Sequence, residues 1–294
     1  MAGVVLREPR FRMLIGTAPG AARRLAVWGE PIGHSRSPDL HRAAYRVLGL
    51  DWTYDRDRVE AARFAEAVAR LGPEWHGLSL TMPLKEEAFR WARVRDRHSE
   101  LTGAVNTLVL DGERRGHGWN TDVGGLVLAL TEAGLADARS VRVLGAGATT
   151  ASAIVAVAEL GAEQVEVRAR RPEALPPLAR IAESLGLRLI GRGFAEATDA
   201  VDLTVSALPG GTVLPDAVAA PLAARGGALF DVAYSPWPSS LAQSWTGGRA
   251  VHGLGMLLHQ AVLQVRVFLN GDASAPLPEE GDVVAAMRRA LMGD

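Results

Sequence analysis

With 294 residues, 48 % of them hydrophobic and 22 % charged, the chain can bury the cores of two ordinary domains or one large one. Its 32 basic and 33 acidic side chains leave a formal charge of -1, which argues against a nucleic-acid or anionic-membrane binder. No apolar run approaches the roughly 20 residues of a membrane span, and the absence of cysteine excludes disulfides, thiolate metal sites and cysteine nucleophiles. A cytoplasmic location fits this composition.

The chain opens with residues 1–23, which lack the apolar core of a secretory signal and read as a loose tail. Residues 25–29 (LAVWG) form a short buried strand, and a loop over 30–36 leads into a helix. Ser37 is its expected N-cap and Pro38 its first residue, with Gly49 ending it. Strands and helices then alternate: strand 52–56, helix 59–71, strand 77–81 and helix 84–91. Two further strands, 105–110 and 116–119, flank a turn at Asp111 and Gly112, and a helix follows over 121–133. A second unit opens with strand 141–144, a glycine-rich turn and a helix through 160. Strand 164–168, helix 172–185 and strands 187–190, 203–207, 228–232 and 249–251 come next. Helices over 255–269 and 283–291 end the chain. The alternation predicts an α/β protein of two domains.

The turn Gly145-Ala-Gly-Ala-Thr-Thr150 between a strand and a helix suits a dinucleotide. Glycines let the backbone approach a pyrophosphate, and the helix N-terminus offers free N–H groups. Thr150 occupies the place of the third glycine of the usual fingerprint. An NAD enzyme sets a carboxylate on the ribose about 20 residues on. Here the next strand ends in Arg168-Ala-Arg170-Arg171, and guanidiniums suit a 2′-phosphate. NADP is therefore the expected cofactor, against the alternative of a solvated arginine cluster.

Lysine occurs once, at Lys85, among 31 arginines, and asparagine only at 106, 120 and 270. A lysine kept where arginine is the default base is a candidate for proton transfer, since arginine does not release its proton. A chance surface lysine is the alternative. Four segments rich in small polar residues follow or end strands in the first unit: 33–38, 80–85, 103–107 and 120–122. Their hydroxyls, two amides, carboxylate and single ammonium suit a small, hydroxylated acid. No His/Asp/Glu cluster has metal-ligand spacing, so no metal is expected.

The stretches Gly29-Glu-Pro-Ile-Gly-His-Ser-Arg-Ser-Pro38, Thr81-Met-Pro-Leu-Lys85, Gly103-Ala-Val-Asn-Thr107, Asn120-Thr-Asp122, Gly145-Ala-Gly147, Asp231-Val-Ala-Tyr-Ser-Pro236 and Gly253-Leu-Gly-Met-Leu-Leu-His-Gln260 carry a resemblance. In that order, they resemble the shikimate dehydrogenases over essentially the whole chain beyond the tail. The resemblance implies NADP-linked reversible reduction of 3-dehydroshikimate to shikimate in aromatic amino-acid biosynthesis. It implies a substrate domain from both chain ends, here 24–122 with 253–294, and an inserted Rossmann-type NADP domain over 123–252. It assigns Ser35 and Ser37 to the substrate carboxylate. Thr81, Lys85, Asn106, Asp122 and Gln260 go to the ring oxygens, and Tyr234 lies nearby. Lys85 and Asp122 form the catalytic pair. Gly145, Ala146, Gly147, Ala148, Thr149, Arg168, Arg170, Arg171, Ala207, Gly253 and Met256 face the cofactor. Read without the resemblance, Ser37 is equally a helix cap, Asn106 a turn residue and Met256 a core residue.

The chain departs from the family pattern in places. Ser79 stands where the family often has Asn, and Ala148 replaces a common glycine. Ala169-Arg170-Arg171 replaces a typical Asn-Arg-Thr, and Ser206-Ala-Leu-Pro209 an Asn-Ala-Thr-Pro loop. A quinate or aminoshikimate dehydrogenase, a folate dehydrogenase and a catalytically silent NADP-binding regulator are the alternatives. The expected assembly is a monomer or homodimer with a small-molecule substrate.

Overall fold

The computed structural model describes residues 23–110, 112 and 115–292. Residues 1–22 of the expected tail, and Asp111 of the expected turn, lie outside the described residues. Arg23 does not belong to a tail: it opens the first strand and is 8 % exposed.

In chain order, the first half runs β1 (Arg23–Gly29), α1 (Ser37–Val47), β2 (Trp52–Arg58), α2 (Phe64–Ala69), β3 (Trp75–Leu80), α3 (Lys85–Trp91), β4 (Val94–Arg95), α4 (Arg97–Thr102), β5 (Thr107–Val109) and β6 (His117–Trp119). Helix α5 (Thr121–Glu132) leads into β7 (Ser140–Leu144), α6 (Ala148–Glu159), β8 (Gln164–Arg168), α7 (Leu175–Ser184) and β9 (Arg188–Arg192). The rest is β10 (Leu203–Ser206), α8 (Asp216–Arg225), β11 (Ala228–Asp231), α9 (Ser240–Gln243), β12 (Ala250–His252), α10 (Leu254–Asn270) and α11 (Glu280–Met292).

The strands form two six-stranded sheets. The first has the order β2-β1-β3-β5-β6-β4, with β5 antiparallel to both β3 and β6. Alternation along β1 divides its core: Leu25 and Val27 pack with α1, α10 and α11, while Ala26 and Trp28 pack with α2 and α3. The second sheet is wholly parallel, in the order β12-β11-β10-β7-β8-β9. Counted from β7, that is 6-5-4-1-2-3, the doubly wound order of dinucleotide-binding sheets. Val141, Val143, Val165 and Val167 are buried on one face of it and Arg142, Glu166 and Arg168 on the other, so its central strands are covered on both faces.

Several expected elements shift. Ser37 is the first residue of α1 rather than its cap; Arg36 holds the cap position, and Ser35 Oγ accepts from Ser37 N at 3.3 Å. The expected helix 59–71 contracts to a 3-10 turn at Ala61–Arg63 followed by α2, because only Phe64 and Val68 are buried there and one turn covers them. Helix α7 begins late because Pro176 and Pro177 fall in its first turn. The unexpected α4 carried legible signals: Asp96 caps it by accepting from Ser99 N, and Gly103 ends it at φ 66°. Pro221 inside α8 obscured that helix in the sequence. Among the described residues, no helix is long and apolar enough to cross a membrane.

Candidate active site

A cleft of about 320 Å³ opens at the C-terminal ends of β1 and β3, against the N-terminal ends of α5, α6 and α10. Its chemistry centres on two helix starts. Lys85 is the first residue of α3, and Asp122 lies in the first turn of α5, where the helix dipole favours a carboxylate. Lys85 Nζ donates to Asp122 Oδ2 at 2.5 Å, with the two side chains 13 % and 8 % exposed. Asn120 caps α5 by accepting from Asp122 N at 3.1 Å. Asn106, after the loop from α4, donates its amide to Asp122 Oδ1 at 2.8 Å and accepts from Thr121 N at 2.9 Å. Both carboxylate oxygens are thus held, one by an amide and one by an ammonium.

The helices cross closely enough to bring a third polar side chain alongside. A Cβ on Gly125 would stand 2.6 Å from Gln260 Cβ and 2.8 Å from its backbone nitrogen, so α10 reaches α5 only because residue 125 is glycine. That crossing sets Gln260 on the cleft wall, where its amide donates to Leu257 O at 2.8 Å.

At the far end of the cleft stand Ser35, Ser37 and the start of α1, a pair of hydroxyls at a helix N-terminus, which suits an anion. Tyr234, in the loop after β11, lines the same end; burial raises its pKa, against the opposing charge of Arg36. Thr81 lies between the serines and Lys85 in the sequence and also lines the cleft. Thr149, Gly253 and Met256 complete the wall toward α6. The cleft therefore reaches the glycine-rich turn.

The second cavity, about 610 Å³, lies at that turn, between β7 and β10, where the strand order reverses. Gly145 has φ +112°, a conformation that favours glycine, and an added Cβ would meet Ala207 O at 3.2 Å. Ala146 and Gly147 line the cavity, and Ala148 begins α6 with Gly147 at its cap. Thr150 is buried, with a hydroxyl that has no hydrogen-bond partner among the described residues. Arg170 and Arg171 line the opposite wall, are exposed, and form no ion pair with a described residue. An open helix N-terminus, a glycine cradle and two uncompensated guanidiniums fit an adenine dinucleotide bearing a 2′-phosphate.

Arg168 corrects the sequence expectation. It is 0 % exposed and lies inside the sheet, donating to Glu166 at 2.8 Å and to the carbonyls of Gly193, Glu196 and Ala197 at 2.8–2.9 Å. Alternation along β8 puts residue 168 on the same face as Glu166, where that carboxylate and the three carbonyls hold its guanidinium inside, so it cannot reach a cofactor phosphate. Burial pushes the Glu166 carboxyl up, but hydrogen bonds from Arg168 and Arg142 hold it below its ordinary pKa. Sequence reading also missed Gln264, on α10 one turn beyond Gln260; the helical spacing of the two glutamines was the available signal.

Residues 27–108 match the family model of the shikimate dehydrogenase substrate binding domain. The NADP(+) shikimate dehydrogenase of Methanothermobacter thermautotrophicus is 32 % identical over 94 % of this chain and 99 % of its own. That of Rubrobacter xylanophilus is 31 % identical over 96 % of this chain and 100 % of its own. Among solved structures, Mycobacterium tuberculosis shikimate dehydrogenase superposes with a TM-score of 0.77 at 38 % identity, covering 92 % of this chain and all of its own, or 100 %. The Thermus thermophilus shikimate 5-dehydrogenase in complex with NADP(H) and shikimate gives 0.73 at 30 % identity, with 91 % and 99 % covered. At these identities over nearly the full length of both chains, the chain belongs to the shikimate dehydrogenase family.

Proposed function

We propose that the chain catalyses the reversible, NADP-linked reduction of 3-dehydroshikimate to shikimate. The observation that carries this reading is the 2.5 Å contact of Lys85 Nζ with Asp122 Oδ2 on the wall of a cleft that runs from a serine-bearing helix N-terminus to the glycine-rich turn. NADPH, held at the glycine turn and by Arg170 and Arg171, would supply the hydride for the ring carbonyl carbon, and NADP would accept it in the other direction. Lys85 Nζ donates the accompanying proton to the carbonyl oxygen, and in oxidation takes it from the hydroxyl. Its charge also lowers the cost of negative charge on that oxygen. Asp122 orients the ammonium and is itself oriented by Asn106 and the start of α5.

On this reading Ser35 and Ser37 hold the substrate carboxylate. Thr81, Asn106, Gln260 and Tyr234 surround the ring, and Gly253 and Met256 face the nicotinamide. Gly145 to Thr149, with Ala207, cradle the pyrophosphate, and Arg170 and Arg171 hold the 2′-phosphate. The substrate domain comprises 23–122 and 253–294, and the NADP domain 123–252. The enzyme works in the cytoplasm as a monomer or homodimer. A silent regulator has no need of an ammonium held on a carboxylate, so the retained Lys85–Asp122 contact disfavours it. The test is the initial rate of NADPH formation from shikimate and NADP by the purified chain, alongside quinate and NAD. Absence of shikimate oxidation overturns the reading, and faster quinate oxidation replaces it with the sister activity.

A further inference from the structure

Ser79 and Gln264 both line the cleft and are each 2 % exposed. The orientation of the Gln264 carboxamide follows from its neighbours. Asn106 O can only accept, and it already takes Leu80 N at 2.7 Å, so the Gln264 atom 3.3 Å from it is the nitrogen. The oxygen then faces Ser79 Oγ at 2.8 Å and His41 Nε2 at 3.1 Å, and accepts from both. His41 is thereby the Nε2–H tautomer, and its Nδ1, 3.1 Å from Tyr45 Oη, accepts the phenol proton. Burial lowers the His41 pKa to about 3, which keeps the ring neutral, and Tyr54 stacks on it at 4.0 Å.

Both acceptor positions of Gln264 Oε1 are now used. Its nitrogen carries two protons, and one goes to Asn106 O. The other has no acceptor among the described residues, and because Gln264 lines the cleft that N–H is left available to a group bound there. We propose that Gln264 is a substrate-binding residue, whose second amide N–H donates to a ring oxygen of the hydroxy acid in the cleft. Position 79 supplies the context: where the resembling family often has Asn, Ser79 lacks a carboxamide, and α10 restores one from the opposite side. The inference rests on the hydroxy-acid reading of the cleft given above.

The chain has four glutamines, Gln164, Gln243, Gln260 and Gln264, so selective side-chain ¹⁵N labelling of the full chain gives few carboxamide signals. Shikimate is expected to shift the Gln264 carboxamide resonances, assigned through their contacts with Ser79 and His41 protons, and to leave Gln164 and Gln243 in place. A shift of Gln260 with none at Gln264 overturns the inference while leaving the proposed function intact. No shift at any glutamine, together with no shikimate oxidation, removes both. In kinetics, Gln264→Leu is expected to raise KM for shikimate about tenfold, the weight of one lost hydrogen bond, with a smaller change in kcat. Adding Ser79→Asn to Gln264→Leu should recover most of that loss. An unchanged KM in the single variant, or a loss that Ser79→Asn leaves unrepaired, overturns the inference.

Discussion

Lys85 Nζ and Asp122 Oδ2 stand 2.5 Å apart across the start of two helices, although 37 residues separate them in the chain. Asp122 is buried and Lys85 nearly so, and both line the cleft. A lysine so placed can exchange its proton with a substrate oxygen while remaining tethered. Lys85→Ala is expected to lower kcat for shikimate oxidation by at least about 10²-fold, the weight of a lost general acid–base group, with a smaller change in KM. Lys85→Arg should fail as well, because guanidinium keeps its proton and its bulk displaces Asp122. Steady-state kinetics decide this, and near-normal kcat in Lys85→Arg contradicts the proton-transfer role.

Arg170 and Arg168 lie two residues apart and are expected to behave in opposite ways. Arg170 is exposed on the cavity at the glycine-rich turn, so on the proposed reading Arg170→Ala should weaken NADP about tenfold or more and barely alter NAD. Arg168→Ala should instead destabilise the fold by about 3–5 kcal/mol, because Glu166 and three carbonyls lose a buried partner. Cofactor titration and thermal melting of the two variants separate these outcomes. Equal weakening of NADP and NAD in Arg170→Ala would assign that side chain a structural role.

The serines predict substrate choice. Ser35 and Ser37 line the cleft at the start of α1, with Ser37 7 % exposed at its first position. In the resembling quinate-using enzymes the second serine is often threonine, whose methyl reshapes the pocket. The chain should therefore prefer shikimate clearly over quinate, and Ser37→Thr should narrow the ratio. Comparable kcat/KM for the two acids in the unmodified chain contradicts this.

His41 makes a prediction about acid. Its pKa is 6.5 when unperturbed and about 3 in the folded chain, because burial disfavours the charged ring. Between those values the unfolded chain binds the extra proton, so stability is full above pH 6.5 and falls as the pH drops toward 3. The loss attributable to His41 should reach about 2 kcal/mol at about pH 5. The carboxyls of Glu132, Glu166, Asp202 and Glu280 are held below their ordinary values of 4.5 and 3.8, so their own loss of stability begins only as the pH falls through those values, which leaves the range from pH 6.5 down to about 5 to the histidine. Denaturant unfolding at a series of pH values should show the slope in the parent and its loss in His41→Phe. An equal slope in both variants would contradict the assignment.

Local pattern made most of this protein legible. The α/β alternation, the glycine turn before α6 and the polar ends of the first-sheet strands follow from short-range rules of periodicity, capping and backbone freedom. The lone lysine stood out because a drift toward arginine left it behind. Packing decided the rest. The sequence places Arg168 and Arg170 in one basic run, but β8 ends at Arg168, whose guanidinium is held inside by Glu166 and the carbonyls of Gly193, Glu196 and Ala197, while Arg170 lies in the turn beyond the strand and lines the cavity. Gln264 reads as one more position on an amphipathic helix until the crossing of α10 over the first sheet brings it against Ser79, His41 and Asn106. Chemistry-bearing residue types are properties of the chain, but which of their hydrogen bonds are already spent depends on neighbours that lie up to 223 residues away.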